Sequence, residues 1–182
     1  MGHRLSKIVT RTGDKGETGL ADGSRLSKSA PRVAAMGEID ELNCVIGLLL
    51  VQQLPDDMRG PLARTQHELF DLGGELSLPG AVVITEKQLA RLEAELTRLN
   101  ANLPPLKEFV LPGGNAAAAA AHLGRSVTRR AERAVWTLHA SEPLNPCAPQ
   151  YLNRLSDYLF VCARVLARQN GGREVSWQRS EP

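Results

Sequence analysis

Residues 85–103 read Thr85-Glu-Lys-Gln-Leu-Ala-Arg-Leu-Glu-Ala-Glu-Leu-Thr-Arg-Leu-Asn-Ala-Asn-Leu103. Leu89, Leu92, Leu96, Leu99 and Leu103 recur at steps of three and four, the stripe that a bundle helix turns toward its neighbours. Thr85-Glu-Lys-Gln88 fits a capping box ahead of it, in which side chains satisfy the unpaired N–H groups of the first turn. Pro104-Pro105 ends the pattern. The same spacing returns in Leu152, Leu155, Leu159, Cys162 and Leu166, which stop before Gly171-Gly172.

The rest of the chain follows this period. Met36, Ile39, Leu42, Val45 and Leu49 predict a helix from about 32 to 53, stopped by Pro55. Leu62, Leu69, Leu72 and Leu76 mark another, with Pro61 suited to its first turn and Pro79-Gly80 after it. Asn115 can cap a helix running to about His139, with Ala120, Leu123, Val127, Ala131, Ala134 and Leu138 as its apolar face. Between these lie a short apolar stretch with a turn, Phe109-Val-Leu-Pro-Gly-Gly114, and a loop marked by Pro143, Pro146 and Pro149. The first 32 residues lack helical period and read as an ordered loop or a disordered arm. No convincing strand pair and no internal repeat are present. The expectation is one all-α domain over 1–182, an up-and-down five-helix bundle. It comprises an arm over 1–32, the bundle over 33–170 and a patternless tail over 171–182.

Composition is consistent with this. The chain has 182 residues, 42% hydrophobic and 23% charged, inside the globular range. Aromatics are only 4%, so Leu, Val and Ala must build the core. Apolar runs fall far short of the roughly 20 residues that cross a bilayer, and no secretory h-region follows the first residues. Cys44, Cys147 and Cys162 are widely spaced, which argues against a disulfide scaffold and suits a reducing cytoplasm. The net charge of +2 hides an uneven distribution: +4 over 1–37, −6 over 38–122 and +4 over 123–182. Two basic regions flank an acidic middle, either as an anion site built from both ends or as helices that attract one another.

Arg125, Arg129 and Arg133 stand at i, i+4 and i+8, so three guanidiniums share a helix face with Glu132 among them. Like charges at that spacing repel. The face is a polyphosphate site, where guanidiniums grip oxygens, or a solvated surface, or a set paired to acids such as Asp40 or Glu41. Arg130 lies nearer the apolar stripe. Thr10-Arg-Thr-Gly-Asp-Lys-Gly-Glu-Thr-Gly19 offers glycines for close backbone approach to an anion, with Thr and Lys as donors. It lacks the Walker spacing, and a flexible arm reads equally well from composition. Asn153, Ser156 and Asp157 form a polar seam, hydrogen-bonded between helices or facing a ligand. His67-Glu68 lacks the second His of a zinc-protease motif, and His122 and His139 read as ordinary helix residues.

Five segments taken together carry a resemblance. They are Lys7-Ile-Val-Thr-Arg-Thr-Gly-Asp-Lys-Gly16; Pro31-Arg-Val33 with Gly37-Glu-Ile-Asp-Glu-Leu-Asn43; Phe109-Val-Leu-Pro-Gly-Gly114; Thr128-Arg-Arg-Ala-Glu-Arg133; and Tyr151-Leu-Asn-Arg-Leu-Ser-Asp157. In this order and spacing the chain closely resembles the PduO-type ATP:cob(I)alamin adenosyltransferases over about residues 7–170. The resemblance implies a homotrimeric five-helix bundle with active sites between subunits. It implies transfer of the 5′-deoxyadenosyl group of ATP to the cobalt of reduced cobalamin, with triphosphate as the leaving group. Thr10, Arg11, Thr12, Gly13, Thr18, Gly19 and Lys28 would then wrap ATP from one subunit. Arg129, Arg130, Glu132, Arg133 and Asn153 would hold it from the neighbour. Arg125 resembles the intersubunit partner of Asp40, and Phe109 the aromatic residue that occupies the lower face of the corrin. Phe160 either lines that pocket or packs in the core. The implied catalytic set is Phe109, Arg129, Asp40 and Arg125.

Mg²⁺ is expected with ATP, without a protein-only metal cage. A corrinoid reductase and an adenosylcobalamin-dependent acceptor enzyme are the implied protein partners, with no nucleic acid and no membrane. A corrinoid-binding or delivery protein that keeps the bundle without turnover is the alternative. The Arg helix lacks a turn-helix partner for nucleic acid. One departure is local: Ala21-Asp22-Gly23 stands where many relatives carry an aromatic and further glycines.

Overall fold

A computed structural model describes residues 8–179, so the expected arm and tail begin and end outside it, as does Lys7. Its elements are β1 (Glu17–Gly19), β2 (Arg25–Ser27), α1 (Pro31–Leu50), α2 (Asp56–Ser77), α3 (Glu86–Asn100), α4 (Ala116–His139) and α5 (Cys147–Ala167). A short 3-10 turn follows at Gln169–Gly171. The all-α bundle is as expected, with one correction. The arm contains a strand pair, Glu17–Gly19 against Arg25–Ser27, antiparallel with Thr18 opposite Leu26. Three-residue strands are too short to register as alternation. Turn chemistry closes the hairpin instead: Ser24 N and Oγ both donate to Asp22 Oδ1, at 2.9 and 2.6 Å.

Side-chain contacts fix the directions. Asn43 Nδ2 donates to Gln66 O and Arg59 Nη1 to Leu50 O, so α1 and α2 run antiparallel. Arg91 pairs with Glu68 and Arg98 with Asp57, setting α3 against α2. Arg130 of α4 reaches Glu38 and Glu41 of α1, and Asn115 at the start of α4 donates to Leu166 O near the end of α5. The result is up-down-up-down-up. α4 packs on both α1 and α5, and α3 packs beside α5. Tyr151 is fully buried and its hydroxyl donates to Glu68 at 2.9 Å, tying α5 to α2.

The stripe that opened the sequence reading behaves unevenly. In α5, Leu152, Leu155, Leu159, Cys162 and Leu166 are all buried. In α3, Leu89, Leu92 and Leu99 are buried and Leu96 is half-buried, as is Leu103 just beyond its end. Gln88 Oε1 accepts the Thr85 N–H at 3.1 Å and the Thr85 hydroxyl at 2.6 Å, the expected N-cap partnership.

Three expectations need correction. α1 ends at Leu50, short of 53. α2 begins at Asp56, so Pro61 sits inside it rather than in its first turn. Asp56 and Asp57 favour the earlier start through the helix dipole. The Asp57 carbonyl that Pro61 leaves without a helix partner receives Arg98 Nη2 at 3.3 Å. In α4, Leu123 is exposed and Ala134 only half-buried. Ala120, Val127, Ala131 and Leu138 are buried as expected, and the packed face also takes in Ala117, Ala118, Ala121, Gly124, Thr128 and Val135. Small residues let α4 lie close to two helices. A Cβ at Gly124 would stand 3.4 Å from Leu159 and 3.6 Å from Val45.

Candidate functional site

A cleft of about 510 Å³ opens where the loop from α3 meets the first half of α4 and the second half of α5. Phe109 stands on its rim with 80% of its surface exposed. Phe160, His122 and Arg125 line its walls. Phe160 therefore faces the cleft as well as the core. Its ring meets His122 edge-on, with centroids 6.2 Å apart. His122, read from sequence as an ordinary helix residue, is buried and its Nδ1 has no hydrogen-bond partner. Burial and the neighbouring Arg125 charge push its pKa down, so the imidazole is neutral near pH 7. Arg125 Nε is likewise buried without a partner. Mostly apolar walls with a few convergent polar atoms suit a large flat ligand carrying polar edges.

One turn along α4, the arginines divide. Arg129 and Arg133 are exposed and aim outward, with Arg133 Nη1 donating to Arg129 O at 3.0 Å. Glu132 is half-buried. Arg130 is turned onto α1, giving Nε to Glu38 at 2.5 Å and Nη2 to Glu41. Its guanidinium is thus engaged by acids within the chain, with Glu41 among the anticipated partners, Glu38 unanticipated and Asp40 not one of them. Asn153 is half-buried on α5. The seam drawn through it does not join helices: Ser156 Oγ donates back to Asn153 O at 2.8 Å, and Asp157 is exposed.

The arm builds a second cluster. Thr10 and Thr12 hydroxyls lie 3.0 Å apart. Arg11 adopts φ +60, a left-handed backbone unusual for a side-chain-bearing residue and typical of loops shaped for a ligand. A Cβ at Gly13 would stand 3.1 Å from Lys28 Nζ and 3.2 Å from the Glu17 carbonyl oxygen, a tight fit, so the loop packs closely against that lysine. Arg25 Nη2 donates to Thr12 O at 2.9 Å and holds the loop to the hairpin bearing Thr18 and Gly19. The hairpin docks on the end of α2 through Ala21 N to Ser77 O at 3.0 Å.

The chain does not bring these clusters together. The arm sits where α1 begins and α2 and α4 end. Arg32, 3% exposed, joins those ends by donating to Leu76 O at 2.6 Å and to Glu142. From Arg125 to His139 is a further stretch of α4 about 21 Å long at 1.5 Å per residue. Among the described residues no hydrogen bond joins the arm to α4. Asp40 is exposed and lies in a separate groove between α1 and α2, beside Phe70, Leu69 and Met36, with no ion pair to Arg125 within the chain.

Sequence reading missed His122, the Arg32–Glu142 pair and a clasp of Arg164 and Arg168 on Glu174. The Arg32–Glu142 pair spans more than a hundred residues, a separation at which no local pattern links them. Hydrophobic period marks which face is buried, not which polar group is aimed into a cleft.

Comparison with known proteins places the chain. The family profile for cobalamin adenosyltransferase matches residues 8–166. A cobalamin adenosyltransferase of Cupriavidus metallidurans is 58% identical over 180 residues, 98% of each chain. A corrinoid adenosyltransferase of Bacillus subtilis is 43% identical over 96% of this chain and 93% of its own length. Among solved structures, a variant PduO-type ATP:corrinoid adenosyltransferase from Lactobacillus reuteri, complexed with cobalamin and ATP, superposes with a TM-score of 0.89. That match has 33% identity and covers 95% of this chain and 100% of the other.

Proposed function

The chain belongs to the cobalamin adenosyltransferase family, and from that membership we infer that it transfers the 5′-deoxyadenosyl group of ATP to the cobalt of cob(I)alamin, releasing triphosphate. The observation that carries this reading is the cleft lined by the exposed Phe109, by Phe160 and by Arg125 with its buried Nε unpartnered, one turn from the exposed Arg129. Cobalt(I) brings the electron pair that attacks the 5′ carbon, so the cofactor-like substrate carries the difficult chemistry. As the Co–C bond forms, the C–O bond breaks and its electrons pass to the triphosphate oxygen. The protein aligns the two reactants and stabilises that departing charge.

Phe109 is assigned to the lower face of the corrin. Its ring excludes water and the axial base without offering a ligand, which eases reduction of Co(II) to Co(I). Arg129 and Arg133, with Glu132 and Asn153, are assigned to ATP. Thr10, Arg11, Thr12, Gly13, Thr18, Gly19 and Lys28 wrap the triphosphate from the arm. Arg130 joins them only by exchanging its present Glu38 and Glu41 partners. The separation of arm and cleft along one chain supports a homotrimer in which each site takes its arm from one copy and its α4 from another. Asp40 and Arg125, which form no ion pair among the described residues, would then meet across that boundary.

Mg²⁺ is assigned to triphosphate oxygens. Among the described residues no group of three or more His, Cys, Asp or Glu side chains could hold a metal. When bound, it would supply charge neutralisation for the leaving group. No helix among the described residues is long and apolar enough to cross a membrane. Three free thiols fit a reducing cytoplasm. A reductase would supply Co(I), and an adenosylcobalamin-dependent enzyme would take the product.

The test is anaerobic mixing of the protein with ATP, Mg²⁺ and chemically reduced cobalamin. Appearance of the light-sensitive adenosylcobalamin spectrum is the expected result. Corrinoid bound without that change would favour the delivery role and sink the catalytic one.

A further inference from the structure

Beyond α5 the chain turns back along the loop that carries Phe109. Leu111 N donates to Val175 O at 2.8 Å, and Trp177 N donates to Phe109 O at 2.7 Å. Val110 and Ser176 pair between them as an antiparallel bridge. The segment that lacked pattern in the sequence is therefore a strand partner for the loop. Glu174 stands at its root with its side chain 9% exposed. Its carboxylate accepts from Arg164 Nε and from Arg168 Nη1, the latter at 2.8 Å. Arg164 is itself buried, and its Nη2 donates to Pro104 O at 2.8 Å, where the same loop begins. One carboxylate thus ties α5 to the root of the tail and, through Arg164, to the start of the Phe109 loop.

The Phe109 ring is mostly exposed, so packing of the ring does not place it. Its position comes from the backbone, and the backbone is held by the tail. Groups that act on a reacting centre must be held within a fraction of an ångström by their supporting contacts. We propose that Glu174 is a positioning residue for Phe109: by clasping Arg164 and Arg168 it seats the 175–177 strand, which sets the loop so that the ring covers the lower face of the corrin. The proposal rests on the Phe109 assignment above.

The full chain with Glu174→Ala tests it. Turnover from cob(II)alamin under mild reductant should fall by about tenfold or more, a rise of about 1.4 kcal/mol in the barrier. Electron paramagnetic resonance of cob(II)alamin with ATP should show an axial ligand retained. With cobalt already reduced to Co(I), kcat and the KM for ATP should stay within about twofold of the unmodified protein. Trp177→Pro deletes the backbone donor to Phe109 O without touching the clasp, and should give the same split. If Glu174→Ala does not fold, Arg168→Ala, which removes only the exposed partner, takes its place. Unchanged Co(II) turnover and spectrum in these variants would overturn the proposal. So would equal losses with Co(I) and Co(II), which would indicate general structural damage. An unmodified protein that forms no adenosylcobalamin from Co(I) would count against the enzymatic reading instead.

Discussion

Phe109 and Arg129 make separable contributions. On the proposed assignment, Phe109→Ala would remove the ring that keeps ligands from the cobalt but no contact to phosphate. Turnover from cob(II)alamin should drop by about tenfold or more while the KM for ATP stays within about twofold, measured under mild reductant. Arg129→Ala would delete the charge-assisted phosphate contact assigned to it above, worth about 1.5–3 kcal/mol. It should lower kcat/KM for ATP by roughly 10- to 150-fold, with both the KM and the chemical step affected. Steady-state kinetics with saturating cob(I)alamin separates the two, and an Arg129→Ala enzyme with unchanged kinetics would return that face to plain surface. The sequence distinguished these residues only in part. Spacing put Arg125, Arg129, Arg130 and Arg133 on one helix. Which guanidinium is free and which is held by Glu38 and Glu41 depended on the approach of α1.

Stability at the level of elements rests on α5 and its contacts. Leu159 is fully buried against Gly124 of α4, so Leu159→Ala should cost about 2–5 kcal/mol in urea unfolding. The Glu174 clasp has a definite pH sign. Burial tends to raise this carboxyl, yet the hydrogen bonds from Arg164 and Arg168 prevail and hold its pKa below the ordinary value of 4.5. A depressed folded-state pKa stabilises the folded form fully above 4.5 and loses that contribution as pH falls through the lower, folded value. Tail attachment, followed by Trp177 emission, should therefore be flat from pH 7 down to about 5 and be lost only in stronger acid. Release near neutral pH would contradict it. Helical period made α3 and α5 legible. It caught only part of the α4 face, because small residues such as Ala117, Ala121 and Gly124, which carry little hydropathy, widen the packed surface.

Across the whole molecule the prediction is complementation. Lys28→Ala spoils the arm, and Arg129→Ala spoils α4. If each site combines the arm of one copy with α4 of another, equimolar co-folded mixtures should regain up to about a quarter of full activity, since a quarter of interfaces pair two intact halves. Activity of the mixture no greater than the sum of the separate variants would show that each chain builds its own site. Sedimentation of the unmodified protein should give a trimer. The opposed charges of the arm and of the acidic middle were visible from composition, but the placement of arm and cleft toward opposite ends of α4 follows only from the helix directions.

The amino-acid sequence alone determined the period, the caps, the breaks and therefore the bundle, because these depend on neighbours three and four residues apart. It also carried the motifs that identify the family, since those are contiguous. Tertiary structure alone decided that Pro61 is tolerated inside α2, that Arg130 is bound to α1, that His122 faces the cleft, and that the tail becomes a strand beside Phe109. Each of these depends on a hydrogen bond, an ion pair or a close approach between groups far apart along the chain. Local pattern carries no information about such pairings until packing brings the groups together.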